Sequence, residues 1–195
     1  MPPCSIHVIL NPVSRAGRAG RDHANIVRAL HSHGIDPLVH LTQHAGHALQ
    51  IAHDIALTGA DIIAAAGGDG TVHDVANGIL RAQSSTALAV IPLGTGNDFA
   101  KIVPGAQTSR AALETLAHPQ IRRYDVGHAT WLNGDEFFVN GMGTGIDVEV
   151  VRQLARTPHA PGPVKYLLAL LRALAVYEPI TLSARFDNHH LERRV

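Results

Sequence analysis

Ile62-Ile63-Ala64-Ala65-Ala66-Gly67-Gly68-Asp69-Gly70-Thr71-Val72 is the stretch on which the reading of this 195-residue chain turns. The apolar run Ile62 to Ala66 has the length and composition of a strand buried on both faces. Glycines follow at once, and Val72 to Arg81 reads as a helix. A strand that ends in glycines and opens a helix is a phosphate cradle. Without Cβ atoms the backbone N–H groups can approach an anion, and the helix N-terminus adds partial positive charge. Asp69 sits oddly there, because a carboxylate repels phosphate. A divalent cation between them removes the conflict, and nucleoside triphosphates carry one. The loop therefore reads as a Mg2+-nucleotide site, against the plainer alternative of a glycine turn in which Asp69 caps a helix.

Three further apolar runs end in similar chemistry. Leu88-Ala89-Val90-Ile91 leads into Pro92-Leu93-Gly94-Thr95-Gly96-Asn97-Asp98-Phe99-Ala100. Ile6 to Leu10 leads into Asn11-Pro12-Val13-Ser14-Arg15-Ala16-Gly17, and Ile121 to Tyr124, taken as a fourth strand, into Asp125-Val126-Gly127. Ligands of open α/β sheets bind beyond the carboxyl ends of the strands, where all four segments place glycine or polar groups. Neither G-x-x-x-x-G-K-[ST] nor G-x-G-x-x-G is present, which excludes a P-loop and an ordinary dinucleotide fingerprint.

Between the strands the apolar spacing is helical. Asp22 to His33 carries Ile26, Val27 and Leu30 on one face; His47 to Leu57 carries Leu49, Ile51, Ala52, Ile55 and Ala56 before Gly59. Alternating strands and helices predict an α/β fold over residues 1–126, with a doubly wound, mostly parallel sheet covered on both faces. After Asp125 the pattern changes. Ala129 to Leu132 and Glu136 to Val139 flank Asn133-Gly134-Asp135, a hairpin signal. Ile146 to Arg156 reads as a helix, Thr157 to Pro163 as a loop, and Val164 to Tyr177 as a second helix. Ile180 to Phe186 is a strand that Asp187-Asn188 turns into His190 to Val195. Residues 127–195 thus predict an antiparallel β-rich domain that stops in mid-sheet. Its open last strand is expected to favour self-association into a homo-oligomer.

Composition narrows the partners. A hydrophobic content of 46% suits a globular core. Zero formal net charge excludes long-range attraction to nucleic acid or acidic membranes as a dominant force, and Arg122-Arg123 and Arg193-Arg194 read as solvated surface. The single cysteine, Cys4, rules out an internal disulfide and fits a reducing cytosol. Ile6 to Leu10 is too short for a signal peptide, and Tyr166 to Tyr177, broken by Arg172, is too short for a membrane span. A cytoplasmic protein that meets lipid only peripherally, at a membrane surface, is expected. The 14 histidines lack metal-ligand spacing: His31-x-His33 and His44-x-x-His47 have no accompanying carboxylates or cysteines, and H-E-x-x-H is missing.

Taken together, these segments resemble the diacylglycerol kinase catalytic family, which includes bacterial lipid kinases and sphingosine and ceramide kinases. The resemblance is carried by Asn11-Pro12, by Thr42 before Ala45-Gly46-His47-Ala48, by Gly67 to Thr71 and by Pro92 to Ala100. Asp125-Val126-Gly127 and Phe138-Val139-Asn140-Gly141-Met142-Gly143-Thr144-Gly145-Ile146-Asp147 continue it in the family order. Gly-Gly-Asp-Gly-Thr alone is shared with NAD kinases and phosphofructokinases; Pro92 to Ala100 favours the lipid kinase branch.

The resemblance implies that ATP lies across Asn11, Pro12, Val13, Ser14 and Arg15, Thr42, Gly67 to His73 (Gly67, Gly68, Asp69, Gly70, Thr71, Val72, His73), Gly94, Thr95 and Asn97. It implies that Asp69, Asp98 and Asp125 organise Mg2+ directly or through water. It also implies transfer of the γ-phosphoryl group to a lipid hydroxyl, converting diacylglycerol to phosphatidic acid. Family members continue into a longer antiparallel domain that holds the lipid pocket and the general base, so no residue of this chain is matched to that base. Two positions depart from the commoner wording: His73-Asp74 replaces an Asn-Glu pair, and Arg15 replaces a glycine. The alternatives are a truncated nucleotide-binding fragment without kinase activity and an NAD kinase-like enzyme.

Overall fold

Strict alternation of side chains along the central strands organises the N-terminal part of the molecule. In the computed structural model, which describes residues 5–14, 19–157, 162–186 and 189–194, four parallel strands run in the order β2-β1-β3-β4. They are β1 (Ile6–Leu10), β2 (Leu38–Leu41), β3 (Ile62–Gly67) and β4 (Ala87–Pro92). Ile9, Ile63, Ala65 and Val90 point to one face. Val8, Leu10, Ile62, Ala64, Ala66 and Ile91 point to the other. Both faces are therefore apolar and each needs helices over it.

Helices α2 (His47–Leu57), α3 (Asp69–Arg81) and α4 (Asp98–Ile102) cover the first face with Ala52, Ile55, Val72, Val75 and Phe99. Helices α1 (Ala19–Ser32) and α5 (Ser109–Ala117) cover the second with Ile26, Leu30, Leu113 and Leu116. The α2–α3 contact is close because Gly78 has no side chain: a Cβ there would lie 2.5 Å from the Leu49 carbonyl and 2.7 Å from Ala52 Cβ.

The expected α/β class is present, with two differences in its strands. Leu38–Leu41 is the fourth parallel strand, paired with β1, whereas Ile121 to Tyr124 has no regular structure. A strand needs a neighbour for its ladder, and β4 pairs only with β3 among the described residues. Ile121 is 68% exposed. Composition suited it to a strand, but nothing hydrogen-bonds to it as one. Helices α4 and α5 were not anticipated, although Thr108 is an ordinary N-cap that accepts from the Ala111 N–H at 3.2 Å.

Two compact units are resolved, Met1–Gly141 and Met142–Val195, so the boundary expected between Val126 and Gly127 falls inside the first. The reason is the hairpin β5 (Gly127–Trp131) and β6 (Gly134–Phe138), which packs on α3. Asn77 of α3 is fully buried; its amide oxygen accepts from the Phe137 N–H at 3.0 Å and its nitrogen donates to the Phe137 carbonyl at 2.8 Å. One side chain thus stands in for a neighbouring strand. Trp131 pairs with Gly134, so Leu132-Asn133 make the turn, one residue earlier than the expected Asn133-Gly134-Asp135.

The second unit contains α6 (Ile146–Arg156) and α7 (Gly162–Val176), packed on each other, and the antiparallel pair β7 (Thr181–Phe186) and β8 (His189–Arg194). The expected loop from Thr157 lies partly outside the described residues, as does the turn at Asp187-Asn188, and α7 begins before Val164. Arg172, the charge that interrupts the apolar run, donates to Thr157 Oγ1 at 3.3 Å. No helix among the described residues is long and apolar enough to cross a membrane.

Candidate functional site

The parallel ladder does not stop where the strands stop. The Asn11 N–H donates to the Ala66 carbonyl at 3.0 Å, Thr42 N–H to Leu10 at 3.0 Å, and Leu93 N–H to Gly67 at 2.8 Å. These bonds hold the first residue of each loop in register on one rim of the sheet. A cleft of about 530 Å³ opens there, between the β1–α1 and β2–α2 turns and the N-terminus of α3. Asn11, Val13, Ser14, Thr42, Gly68, Gly70, Thr71 and His73 line it, all of them among the residues that the resemblance implies for ATP. Arg15 lies outside the described residues.

The floor of the cleft is the start of α3. Thr71 and Val72 direct their N–H groups to the Gly68 carbonyl at 2.9 and 3.1 Å, so the amides of Gly68, Asp69 and Gly70 precede the first intrahelical bond. Such amides are the donors an anion uses at a helix N-terminus. Thr71 is only 4% exposed and its Oγ1 accepts from Asn11 Nδ2 at 3.3 Å, tying the end of β1 to α3. Asn11 Oδ1 also accepts the Val13 N–H at 3.1 Å, shaping the turn that holds Pro12. Val72 differs from the other implied residues: its side chain is in the core and its N–H is already spent.

The second glycine loop meets the first from the side. A Cβ on Gly94 would overlap Gly68 Cα, so the two backbones touch only because position 94 is glycine. Asn97, in the left-handed region at φ 53°, braces its own loop by accepting from the Gly94 N–H at 2.9 Å and donating to the Gly94 carbonyl at 2.9 Å. Asparagine tolerates that backbone region. Thr95 and Gly96 are exposed at the loop tip.

Asp69 and Asp98 converge on this tip: a Cβ on Gly96 would stand 3.0 Å from Asp69 Oδ2 and 3.7 Å from Asp98 Oδ2. Asp69 Oδ1 accepts the Phe99 N–H at 3.2 Å, so it does cap a helix, but α4 and not its own. Its second oxygen faces the loop tip. Asp98 pairs with Lys101 at 2.5 Å. Asp125 is exposed in the irregular segment before β5, and no three His, Cys, Asp or Glu side chains among the described residues are grouped to hold an ion. Two carboxylates offering hard oxygen donors fit a Mg2+ that keeps several waters, the way this ion is usually bound beside phosphates.

Gln43, His44, Gly46 and Asp74 also line the cleft without having been assigned there by the sequence. The signal was available in the turn after Thr42: Gly46 adopts φ 76° at the start of α2, which a residue with a side chain rarely does. His73 Nε2 meets Glu136 Oε1 of β6 at 3.1 Å. The Asp74 carboxyl is raised above its ordinary value by burial first, with the His73 imidazole opposing and the Glu136 charge adding.

Residues 5–129 match the diacylglycerol kinase catalytic domain model. The chain belongs to this family. It is 31% identical to a diacylglycerol kinase of Bacillus subtilis (strain 168), over 92% of this chain and 59% of that protein. It is also 31% identical to a probable lipid kinase YegS-like protein of Klebsiella pneumoniae (strain 342), over 84% of this chain and 54% of that one. The crystal structure of a diacylglycerol kinase from Bacillus anthracis str. Sterne superposes with a TM-score of 0.71 at 27% identity, covering 98% of this chain and 61% of the other. This member of the diacylglycerol kinase catalytic domain family therefore spans little more than half the length of the curated relatives it matches. The family match includes every glycine loop that builds the cleft.

Proposed function

We propose that the chain is the nucleotide-binding part of a lipid kinase that transfers the γ-phosphoryl group of Mg2+-ATP to a lipid hydroxyl, with diacylglycerol as the first substrate to test. The observation that carries the reading is the cleft itself. Asn11, Ser14, Thr42, Gly68, Gly70, Thr71 and His73 converge on one rim from three separate loops, in a chain of kinase family. Bound Mg2+-ATP would supply the transferable phosphoryl group and the charge that neutralises its oxygens.

The chain's own residues would position and neutralise, which is most of what phosphoryl transfer asks of a protein. The Gly68, Asp69 and Gly70 amides hold anionic oxygen, and Asn11 and Thr71 fix the wall against which it rests. Asp69 and Asp98 present oxygens beside Gly96 for the hydrated cation. A lipid hydroxyl would arrive from a membrane surface.

Radiolabelled ATP supplied with Mg2+ and a panel of lipids, with NAD as a further acceptor, tests the reading. Label in phosphatidic acid is expected, whereas label in NADP would assign the site to the other kinase branch. Asp69→Asn keeps the size and the acceptor for the Phe99 N–H but removes the charge. It is expected to lower Mg2+-dependent turnover by about 100-fold or more, the scale of losing one preorganised charge contact, while circular dichroism stays that of the parent. Turnover equal to the parent would remove Asp69 from the mechanism.

A further inference from the structure

The carboxylates beside Gly96 already have a positive neighbour. Helix α4 starts at Asp98, and one turn on, at spacing i,i+3, comes Lys101. Phe99 and Ala100 between them are buried, so the flanking acid and base are both turned outward. Lys101 Nζ donates to Asp98 Oδ1 at 2.5 Å, and the negative charge of Asp69 reaches the same ammonium. Asp69 Oδ1 is occupied by the Phe99 N–H at 3.2 Å. The other two oxygens, Asp69 Oδ2 and Asp98 Oδ2, are the pair beside Gly96.

A divalent ion at those two oxygens would stand close to the ammonium, and the two like charges repel each other even through water. The pair that holds the ammonium is weak, because both partners are exposed and surface ion pairs contribute little. Lysine has a flexible four-carbon stem, and 64% of this side chain is exposed, so the ammonium can turn away at small cost. It would then meet anionic oxygen, since such an ion arrives together with phosphate. An ammonium binds a phosphate oxygen as a point charge, without the geometric demands of a guanidinium.

We propose that Lys101 and a divalent ion are alternative counter-charges of Asp98, and that entry of the ion releases the Lys101 ammonium to a phosphoryl oxygen of the bound nucleotide. The inference rests on the Mg2+-nucleotide reading of this rim. It gives Lys101 two states. Before the ion arrives, the ammonium offsets the repulsion between two neighbouring carboxylates. Afterwards it supplies a second cation to the phosphate, from the side of α4. Lys101 is thus a competitor of the metal and a partner of the nucleotide, and the two roles respond in opposite directions when its charge is removed.

Binding alone, without turnover, tests this. Mn2+ without nucleotide would be titrated into the whole chain and into Lys101→Met, and followed by loss of its free-ion electron paramagnetic resonance signal. Mg2+-saturated ATP would be titrated into both by isothermal calorimetry. Lys101→Met is expected to bind Mn2+ about two- to fivefold more tightly, the scale of one exposed ion pair, and ATP more weakly. Lys101→Arg, which keeps the charge, should restore ATP binding towards the parent. Arg28→Met removes an exposed charge from α1, over the opposite face of the sheet from α4, and should move neither affinity. Mn2+ affinity at or below that of the parent, unchanged ATP affinity, or equal shifts in Arg28→Met overturn the inference; ATP binding by the parent then leaves the nucleotide reading intact. A parent that binds no ATP overturns both.

Discussion

The two units of this chain use apolar residues in opposite ways. In the first, large side chains are hidden: Ile9, Leu10, Leu30, Ile63 and Ile91 are fully buried between sheet and helices. In the second, α7 buries its small residues, Ala169 and Ala173, and exposes its large ones; Leu167, Leu171 and Leu174 are each more than half exposed. Spacing by four puts the two alanines on one stripe of the helix, and α7 packs on α6. Apart from Lys165 and Arg172 the helix is largely apolar, yet the alanine stripe is the part of it that is buried. The first unit therefore derives its stability from side-chain volume. In the second, backbone geometry and the α6–α7 contact matter more than the leucines.

That contrast can be broken by substitution, with the largest effect expected in the sheet. Ile63→Ala removes a fully buried branched side chain from the central strand, and a loss of about 2–5 kcal/mol is expected in urea denaturation. A loss below the cost of a surface change would mean that the core of the first unit is not close-packed. Asn77→Leu should come next, at about 2–3 kcal/mol, because the Phe137 N–H and carbonyl both lose their partner. Its informative readout is hydrogen exchange at Phe137, which should accelerate more than exchange in β3. The smallest effect is expected at Leu171→Gln, within about 0.5 kcal/mol, since that side chain is 56% exposed. A large destabilisation there would show the leucine face of α7 to be covered in solution.

Much of the first unit was legible because its signals are local. Buried strands show up as runs such as Ile62 to Ala66, and the glycines after them can only serve a turn or a close approach. The rim where the loops gather followed from those runs, and eight of the sixteen residues that the resemblance implies for ATP line the cleft there. The strand expected at Ile121 to Tyr124 failed for the opposite reason. Its composition suits a strand, but pairing depends on a neighbour that composition does not reveal. Leu38–Leu41 is a short, partly exposed strand with His40 in it, so its pattern was weak, yet β1 supplies the ladder.

Side-chain partners were equally out of reach. Asp69 was weighed as an ion ligand or as a cap for its own helix; its carboxylate caps α4, which begins on a different loop. The hydrogen bonds by which Asn97 braces its own turn are likewise not announced by its neighbours in sequence. Nothing near His73 in sequence announces Glu136, which β6 carries to it.

Taken alone, then, the order of residues determined the α/β class, the two-faced sheet and the edge at which the glycine loops gather, because hydrophobic period and glycine placement act over a few neighbours. Tertiary structure alone decided which strand closes the sheet, that one buried asparagine fastens the hairpin to α3, and which carboxylates meet beside Gly96. Those outcomes depend on pairings between distant segments, and such pairings exist only once the chain has packed.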